Sequence, residues 1–275
     1  MITAYLGTSA FAAAVLQRLA STPHRPVLVV TRPDRPAGRG RVLTPPPVAT
    51  LARDLGLEVI QPESVNTDEV CDRIAATGAE AVVVCAFGAL IKEPLLSRFE
   101  LLNVHPSLLP RWRGAAPVER AIMAGDDQTG VSIMRVTAGL DSGPVCLAEV
   151  EPIHPDEDYG TLAARLQELG ARLLVRVLDE RPPCVEQDDA LATYADKIAA
   201  ADRTLDPSAP AEQQERVVRA LHPHIGARLP LGDGSFLGVR RAAVGADGSL
   251  ALLEVQPPGG RPMPYADYAR GHPGR

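Results

Sequence analysis

The sequence predicts an α/β fold, in which an open, mostly parallel sheet is followed by a small β-rich module. Two near-continuous apolar runs, PVLVVT at 26–31 and EAVVVC at 80–85, are typical of strands buried on both faces. Helical segments alternate with such runs up to about residue 180, which is the pattern of βαβ units. After residue 210 short strands are separated by the turn sequences GDG and ADG.

The elements of the first part follow one another in a regular order. Strands are predicted where β-branched and apolar residues cluster between turn residues, at 2–6, 26–31, 58–60, 80–85, 101–105, 131–136 and 145–150. Helices are predicted where apolar residues recur at helical spacing behind a capping residue or a proline, at 11–20, 47–55, 68–76, 117–124 and 162–178. We assign these elements to a first domain at 1–188.

The second part begins after a segment that carries Ala, Asp and two prolines and is predicted to be a linker at 189–210. An amphipathic helix follows it, and three short strands come after the helix, at 212–221, 226–231, 236–244 and 250–256. These elements predict a second, β-rich domain at 211–275. Valine-rich runs in the first part and turn signals in the second, with no internal repeat, therefore indicate two domains of different type.

Composition limits the classes of function. The chain has 275 residues and a formal net charge of −6, which argues against a protein that coats nucleic acid over its whole surface. The segment 211–275 carries 8 Arg and no Lys against 6 Asp and Glu, so it is mildly basic. The start of the chain does not resemble a signal peptide, and no apolar run reaches membrane-spanning length. We expect a cytoplasmic monomer that does not bind membranes.

Neither the cysteines nor the histidines predict a metal site. The four cysteines lie far apart without a CxxC pair, which predicts buried, reduced thiols rather than disulfides or metal ligands, at Cys71, Cys85, Cys146 and Cys184. His222 and His224 could form a metal pair, but no third Cys or His lies near them in sequence. Solvated histidines at the end of a helix are the favoured interpretation.

The stretch LLNVHPSLLPRWRGAAPVERA at 101–121 carries the candidate chemistry. Asn103 and His105 are two residues apart on a strand, so their side chains point to the same face, and ligands bind at strand carboxyl ends in open α/β sheets. An amide and an imidazole there are suited to stabilising a tetrahedral oxyanion. On spacing alone, a structural histidine beside a turn-forming Asn is an equal alternative. Asp141, between two glycines, is either a turn residue or a carboxylate partner of His105.

The segment 32–41 is rich in cations. Such a run is usually a solvated loop, but glycines and arginines together also suit an arm that binds phosphates. The arginines in question are Arg32, Arg35, Arg39 and Arg41. Both interpretations stay open on composition alone.

Three motifs give the chain a family resemblance. NVHPSLLPRWRGAAPVERA at 103–121, with GLDSG at 139–143, resembles the folate-dependent formyltransferases. RPDRPAGRGRVLTPPPV at 32–48 narrows the resemblance to the methionyl-tRNA formyltransferase family. The resemblance extends over most of the chain, including YLGTSAFA at the start and TYADKI at 193–198. It implies a Rossmann-like formyltransferase sheet and an OB-like C-terminal module.

The resemblance also implies an activity. The formyl group of 10-formyltetrahydrofolate, a co-substrate, would pass to the α-amino group of methionyl initiator tRNA, leaving tetrahydrofolate, without a metal. Asn103 would hold the formyl oxygen as it becomes an oxyanion, His105 would assist it and move protons, and Asp141 would orient His105. The implied folate-binding residues are Phe87, Gly88, Ser107, Leu108, Leu109 and Pro110. The implied tRNA-binding residues are Arg35, Arg39 and Arg41.

The C-terminal segment departs from the family pattern. Relatives build a five-stranded barrel there, but about 65 residues follow Pro210 and only three strands are predicted. A shortened module is therefore expected. Two alternatives to the implied activity are kept. One is another folate-dependent N-formyltransferase, acting on an amino-sugar nucleotide or on glycinamide ribonucleotide, and the other is a catalytically inactive RNA-binding relative.

Overall fold

The fold is described from a computed structural model of the chain, for residues 1–37 and 40–272. These residues form two compact units that are interleaved along the sequence. The first unit consists of 1–115, 130–151 and 164–194, and the second of 116–129, 152–163 and 195–275. The contiguous division predicted at 188 and 210 does not coincide with these units, and it stays a prediction about function.

Fifteen strands and eight α-helices are present in the described residues. In chain order the strands are β1 (Thr3–Gly7), β2 (Pro26–Val30), β3 (Arg35–Ala37), β4 (Val42–Thr44), β5 (Glu58–Ile60), β6 (Ala81–Cys85), β7 (Leu101–His105), β8 (Arg113–Gly114), β9 (Gln128–Arg135), β10 (Val145–Pro152), β11 (Tyr194–Ala195), β12 (Ala227–Pro230), β13 (Phe236–Val244), β14 (Leu250–Gln256) and β15 (Met263–Pro264). The helices are α1 (Ala10–Leu19), α2 (Pro47–Asp54), α3 (Asp68–Ala75), α4 (Leu95–Arg98), α5 (Pro117–Ala124), α6 (Tyr159–Glu180), α7 (Ala211–Leu221) and α8 (Tyr265–Gly271).

A seven-stranded sheet in the order β10-β9-β7-β6-β1-β2-β5 organises the fold. The neighbours from β7 to β5 run parallel, and β9 pairs antiparallel with β7. All five residues of β1 and all five of β6 are buried, as expected for central strands covered on both faces. The predicted open, mostly parallel sheet is thus confirmed.

Local signals in the sequence set several helix ends. The Ser9 hydroxyl accepts a hydrogen bond from the backbone N–H of Ala12 and caps α1. The hydroxyl of Thr67 caps α3 in the same way through the N–H of Val70. Helices α2 and α5 each begin with a proline. Proline lacks a backbone N–H, and at the first position of a helix an N–H would have no intrahelical partner in any case.

The second unit contains a four-stranded antiparallel sheet in the order β12-β13-β14-β15. Its three longest strands are the three predicted ones, and β15 and α8 were not predicted. Within the described residues β12 and β15 are the two edges, so the sheet is open rather than a closed barrel. Helix α7 supplies Val218 and Leu221 to a core that also contains Leu205 and Val239.

The segment predicted as a linker is folded in part. Residues 189–191 form a short 3₁₀ helix, and Asp188 caps it through the N–H of Ala190. Leu205 is buried in the core of the second unit, and Ile198 packs against that core. Composition did not predict this packing, because Ile198 and Leu205 are isolated apolar residues among small and polar neighbours.

The expectation of four reduced thiols is wrong for two cysteines. Cys146 and Cys184 form a disulfide, whereas Cys71 and Cys85 are free and buried. An antiparallel bridge with two 2.8 Å hydrogen bonds between Val145 and Val185 brings the paired cysteines together. The two cysteines are 38 residues apart, and no local sequence pattern predicts a disulfide at that separation.

Candidate active site

Three side chains meet beyond the carboxyl end of β7. Asn103 and His105 lie two residues apart on β7 and so share one side of the strand. Asp141 lies in the loop between β9 and β10, which are the next two strands of the sheet. The sheet order therefore brings residues 36 to 38 positions apart to a single edge.

The Asp141 carboxylate is the centre of the cluster. Its Oδ2 accepts a 2.9 Å hydrogen bond from the backbone N–H of Gly114 and lies 3.7 Å from His105 Nδ1. Its Oδ1 accepts a 3.4 Å hydrogen bond from Asn103 Nδ2. The His105 side chain is 5% exposed and that of Asp141 19%, so the interaction between the two groups is only weakly screened by water.

The proton of His105 can be placed from its partners. Nε2 lies 2.9 Å from the carbonyl oxygen of Trp112, which can only accept a hydrogen bond. Nε2 must therefore carry a proton. Nδ1, which faces Asp141, is the ring atom that is free to gain or lose one.

The segment after β7 is held in place by two serines. Ser107 is buried, and its hydroxyl donates to the carbonyl of Arg111 at 2.6 Å. Ser132 on β9 donates to the carbonyl of Ser107 at 2.8 Å and accepts from the N–H of Leu109 at 3.1 Å. Leu108, Leu109 and Pro110 are half-buried. This part of the predicted folate site therefore has a fixed backbone and partly accessible apolar side chains.

The other predicted folate residues follow β6, which runs parallel to β7. The carbonyl of Phe87 accepts a 2.7 Å hydrogen bond from the Thr8 hydroxyl, and that of Gly88 accepts one of 2.7 Å from Arg32 Nη1. The Phe87 side chain is buried in the core of the first unit. Because β6 and β7 are parallel, their carboxyl ends lie at the same edge of the sheet. The turn after β6 is therefore at the edge where Asn103 and His105 lie.

The cysteine next to this turn, Cys85, is not suited to act as a nucleophile. Cys85 ends β6, and its burial raises the pKa of the thiol to about 12. Burial also raises the pKa of Tyr5, with which Cys85 shares a hydrogen bond. A thiol that stays protonated at neutral pH is a poor nucleophile.

Two of the predicted tRNA-binding arginines, Arg35 and Arg41, belong to a β-hairpin rather than to a plain loop. Arg35 begins β3, and β3 pairs antiparallel with β4. Arg41 precedes β4 and has a φ of 47°. Both residues are exposed. Arg39, the third predicted arginine, lies outside the described residues.

Four residues of the site were missed by the sequence analysis. The backbone groups of Trp112 and Gly114 contact His105 and Asp141, and the side chains of Arg113 and Gln187 hold the Asp141 loop from behind. The stretch from Trp112 to Gly114 is part of the motif at 103–121, but the sequence analysis gave it no role. Nothing in the sequence signals Gln187, which lies 46 residues from Asp141.

Comparisons with known proteins decide the family. A family model described as formyl transferase matches residues 1–178. The methionyl-tRNA formyltransferase of Halorhodospira halophila is 44% identical over 296 aligned residues, which cover 97% of this chain and 95% of that protein. The chain belongs to the methionyl-tRNA formyltransferase family. The family predicted from the motifs is thus confirmed.

Solved structures agree with this fold. The methionyl-tRNA formyltransferase from Clostridium thermocellum superposes with a TM-score of 0.65 at 14% identity, covering 96% of this chain and 100% of that one. HypX from Aquifex aeolicus in complex with tetrahydrofolic acid gives a TM-score of 0.66 at 16% identity, covering 98% of this chain and 47% of that one. At such identities the likeness supports the fold of this formyltransferase family member.

The described residues lack two further features. No group of three or more His, Cys, Asp or Glu side chains is arranged to hold a metal ion in 1–37 and 40–272. No helix within those ranges is long and apolar enough to cross a bilayer.

Proposed function

We propose that this chain transfers the formyl group of 10-formyltetrahydrofolate to the α-amino group of methionyl initiator tRNA, giving N-formylmethionyl-tRNA for translation initiation. The observation that carries the proposal is the convergence of Asn103, His105 and Asp141 at the end of β7 in a chain of this family. The reaction is an acyl transfer, which needs an oxyanion donor and a route for one proton.

The chemical step can be assigned to this chain's own atoms. The amine nitrogen attacks the formyl carbon, and the carbonyl π electrons move to oxygen. The Asn103 amide donates a hydrogen bond to that oxyanion, and His105 lies on the same side of the strand to assist. The bond from the formyl carbon to N10 of the folate then breaks, and the amine's proton passes to N10.

His105 Nδ1 carries the proton in this scheme, and Asp141 supports it. The carbonyl of Trp112 holds the proton on Nε2, so Nδ1 accepts the proton from the amine. The Asp141 carboxylate, 3.7 Å away, stabilises the imidazolium that results. The N–H of Gly114 keeps the carboxylate in this orientation.

The binding residues remain those implied by the motifs. Folate contacts Gly88 and the 107–110 segment, with Phe87 supporting the turn from within the core. Arg35, Arg39 and Arg41 contact tRNA phosphates, and the C-terminal module adds weaker phosphate contacts through its arginines. The protein acts in the cytoplasm as a monomer, with 1–188 as catalytic domain, 189–210 as linker and 211–275 as tRNA-binding module.

One assay separates this proposal from its two alternatives. The purified protein is incubated with formyl-labelled 10-formyltetrahydrofolate and methionyl initiator tRNA, an amino-sugar nucleotide, glycinamide ribonucleotide or no acceptor. Label is expected on methionyl-tRNA alone. Label on one of the small acceptors would assign another N-formyltransferase activity. Binding of tRNA without any transfer would indicate an inactive relative.

A further inference from the structure

The backbone at Asp141 has a conformation that few residues other than glycine adopt. Its φ is +44°, in the left-handed region where residues other than Gly are uncommon and strained. Two residues later, a Cβ added to Gly143 would lie 2.0 Å from the carbonyl oxygen of Arg135. The turn that presents the Asp141 carboxylate is therefore tight, and it must be held by its surroundings.

Gln187 supplies that support. Its Nε2 donates one hydrogen bond to the carbonyl of Asp141 at 2.8 Å and another to the carbonyl of Gly143 at 2.7 Å. Both donors of the side-chain amide are thus used on the two sides of the strained turn. Rotation of the Asp141 peptide would break at least one of these bonds.

The Gln187 amide is itself oriented from behind. Its Oε1 accepts a 3.0 Å hydrogen bond from Nε of Arg113, whose side chain is only 4% exposed. Nη2 of Arg113 is anchored by the carboxylate of Asp189 at 2.7 Å. With carbonyls on one side and a guanidinium on the other, only one orientation of the amide satisfies all partners.

The segment that contains Arg113 also contacts Asp141 directly. Gly114, the next residue, donates its N–H to Asp141 Oδ2 at 2.9 Å. One segment thus fixes the carboxylate directly and fixes the Asp141 backbone through Gln187. The two routes together determine how the carboxylate faces His105.

We propose that Gln187 is a positioning residue, which sets the rotation of the Asp141 carboxylate towards His105 and Asn103. Gln187 contacts neither of those two side chains and acts only through Asp141. This inference rests on the proposed formyl transfer for its kinetic readout. It predicts that loss of the Gln187 amide donors impairs the chemical step and spares substrate binding, since misplacement by about 1 Å costs up to about 10²-fold in rate.

The test compares Gln187→Glu and Gln187→Leu with wild type in formyl transfer to methionyl-tRNA. Glu has the shape of Gln but no N–H donors, and Leu has neither donors nor charge. Each variant is expected to lower kcat about 10- to 100-fold, with KM for folate and for tRNA within about twofold. Gln17→Glu, the same change at an exposed position of α1, is the matched control and should leave kcat unchanged.

A double-mutant cycle separates positioning from general destabilisation. In an Asp141→Asn background, Gln187→Leu and Gln187→Glu are expected to cause no further loss in kcat, because residues that act as a unit are not additive. Losses that multiply in the double variant, or an unchanged kcat in the single variants, would overturn the proposal. If Gln187→Leu does not fold, Gln187→Glu decides alone.

A readout without turnover keeps the two proposals apart. In NMR spectra of histidine-labelled protein, Gln187→Glu is expected to shift the ring resonances of His105 and leave the other five histidines in place. Unchanged His105 resonances would refute the positioning role. A wild-type protein that transfers no formyl group would refute the proposed function, and the NMR comparison would still decide the role of Gln187.

Discussion

At the scale of single residues, Asn103 and His105 are the groups that the proposed mechanism places next to the reacting carbonyl. Their positions follow from period-two alternation along β7, which the sequence predicted, and from the buried setting of His105, which it did not. An oxyanion donor acts mainly in the transition state, so its removal should affect turnover more than binding.

Replacement of either residue by Ala tests this. We expect Asn103→Ala and His105→Ala each to lower kcat by about 10²- to 10³-fold with little change in folate affinity. Steady-state kinetics and folate titration measure the two quantities. Asn66→Ala is the matched control and should leave kcat unchanged. The Asn66 amide donates a hydrogen bond to the loop carbonyl of Leu90. Near-normal turnover in both active-site variants would remove these residues from the mechanism.

Asp141 is the residue whose role the sequence left most open. Because Asn has the shape of Asp without its charge, Asp141→Asn is expected to preserve the fold, depress kcat and shift the acidic limb of the pH–rate profile. Circular dichroism and rate measurements between about pH 5 and 9 check this expectation. The same change at the exposed Asp54 should have no effect. Full activity with an unchanged profile would reduce Asp141 to a turn residue.

At the scale of elements, the parallel arrangement of β6 and β7 matters most, since it brings two loops from distant parts of the sequence to one edge. The β3–β4 hairpin was not predicted from the sequence. Its strands have three residues each and include Arg35 and Pro36, so composition predicted a loop. Antiparallel pairing between the two short strands is a tertiary outcome that propensity alone does not predict.

The arginines of the segment 32–48 are the basis of a prediction about tRNA binding. Arg39→Ala combined with Arg41→Ala is expected to raise KM for methionyl-tRNA and to spare folate affinity. Loss of two phosphate contacts should also reduce the slope of log K against log salt by about two units. The measurement is tRNA binding across a salt series. Arg172→Ala with Arg176→Ala removes the same charge from α6 and serves as the control. An unaltered slope in the Arg39→Ala, Arg41→Ala variant would exclude these two arginines from phosphate contact.

At the scale of the whole molecule, contacts between distant segments hold each unit together. In the second unit, Arg120 of α5 donates two hydrogen bonds to the carboxylate of Asp202, at 3.1 and 2.9 Å. The hydrogen bond from Arg120, followed by that from the backbone N–H of Ala199, lowers the pKa of Asp202. A pair with both side chains less than a third exposed is worth about 1 kcal/mol after screening.

The sign of the pH dependence follows from the direction of this shift. A carboxyl group with a lowered pKa stabilises the fold above its unfolded pKa of about 4, and this contribution is lost as pH falls through the folded pKa. Asp202→Asn is therefore expected to lower the free energy of unfolding by about 1 kcal/mol at neutral pH. At acidic pH the free energies of unfolding of the wild type and the variant should become equal. Urea unfolding at several pH values tests this, with the exposed Asp156→Asn as control. A constant difference at all pH values would contradict the assignment.

The sequence by itself determined what depends on short-range pattern. Apolar runs predicted the strands of the central sheet, capping residues and prolines predicted the starts of helices, and the motifs at 32–48, 103–121 and 139–143 predicted the family. Asn103 and His105 could be paired from a spacing of two residues. These features were accessible because neighbouring residues determine them.

Only the tertiary structure decided which distant residues meet. The disulfide between Cys146 and Cys184, the packing of Leu205 into the second unit and the hold of Gln187 on the Asp141 turn each join residues far apart in sequence. Such contacts depend on the sheet order and on loop paths, which side-chain chemistry at one position does not specify. A glutamine that bonds two carbonyls is, in sequence, the same as any exposed glutamine, and its role exists only where the fold places its partners.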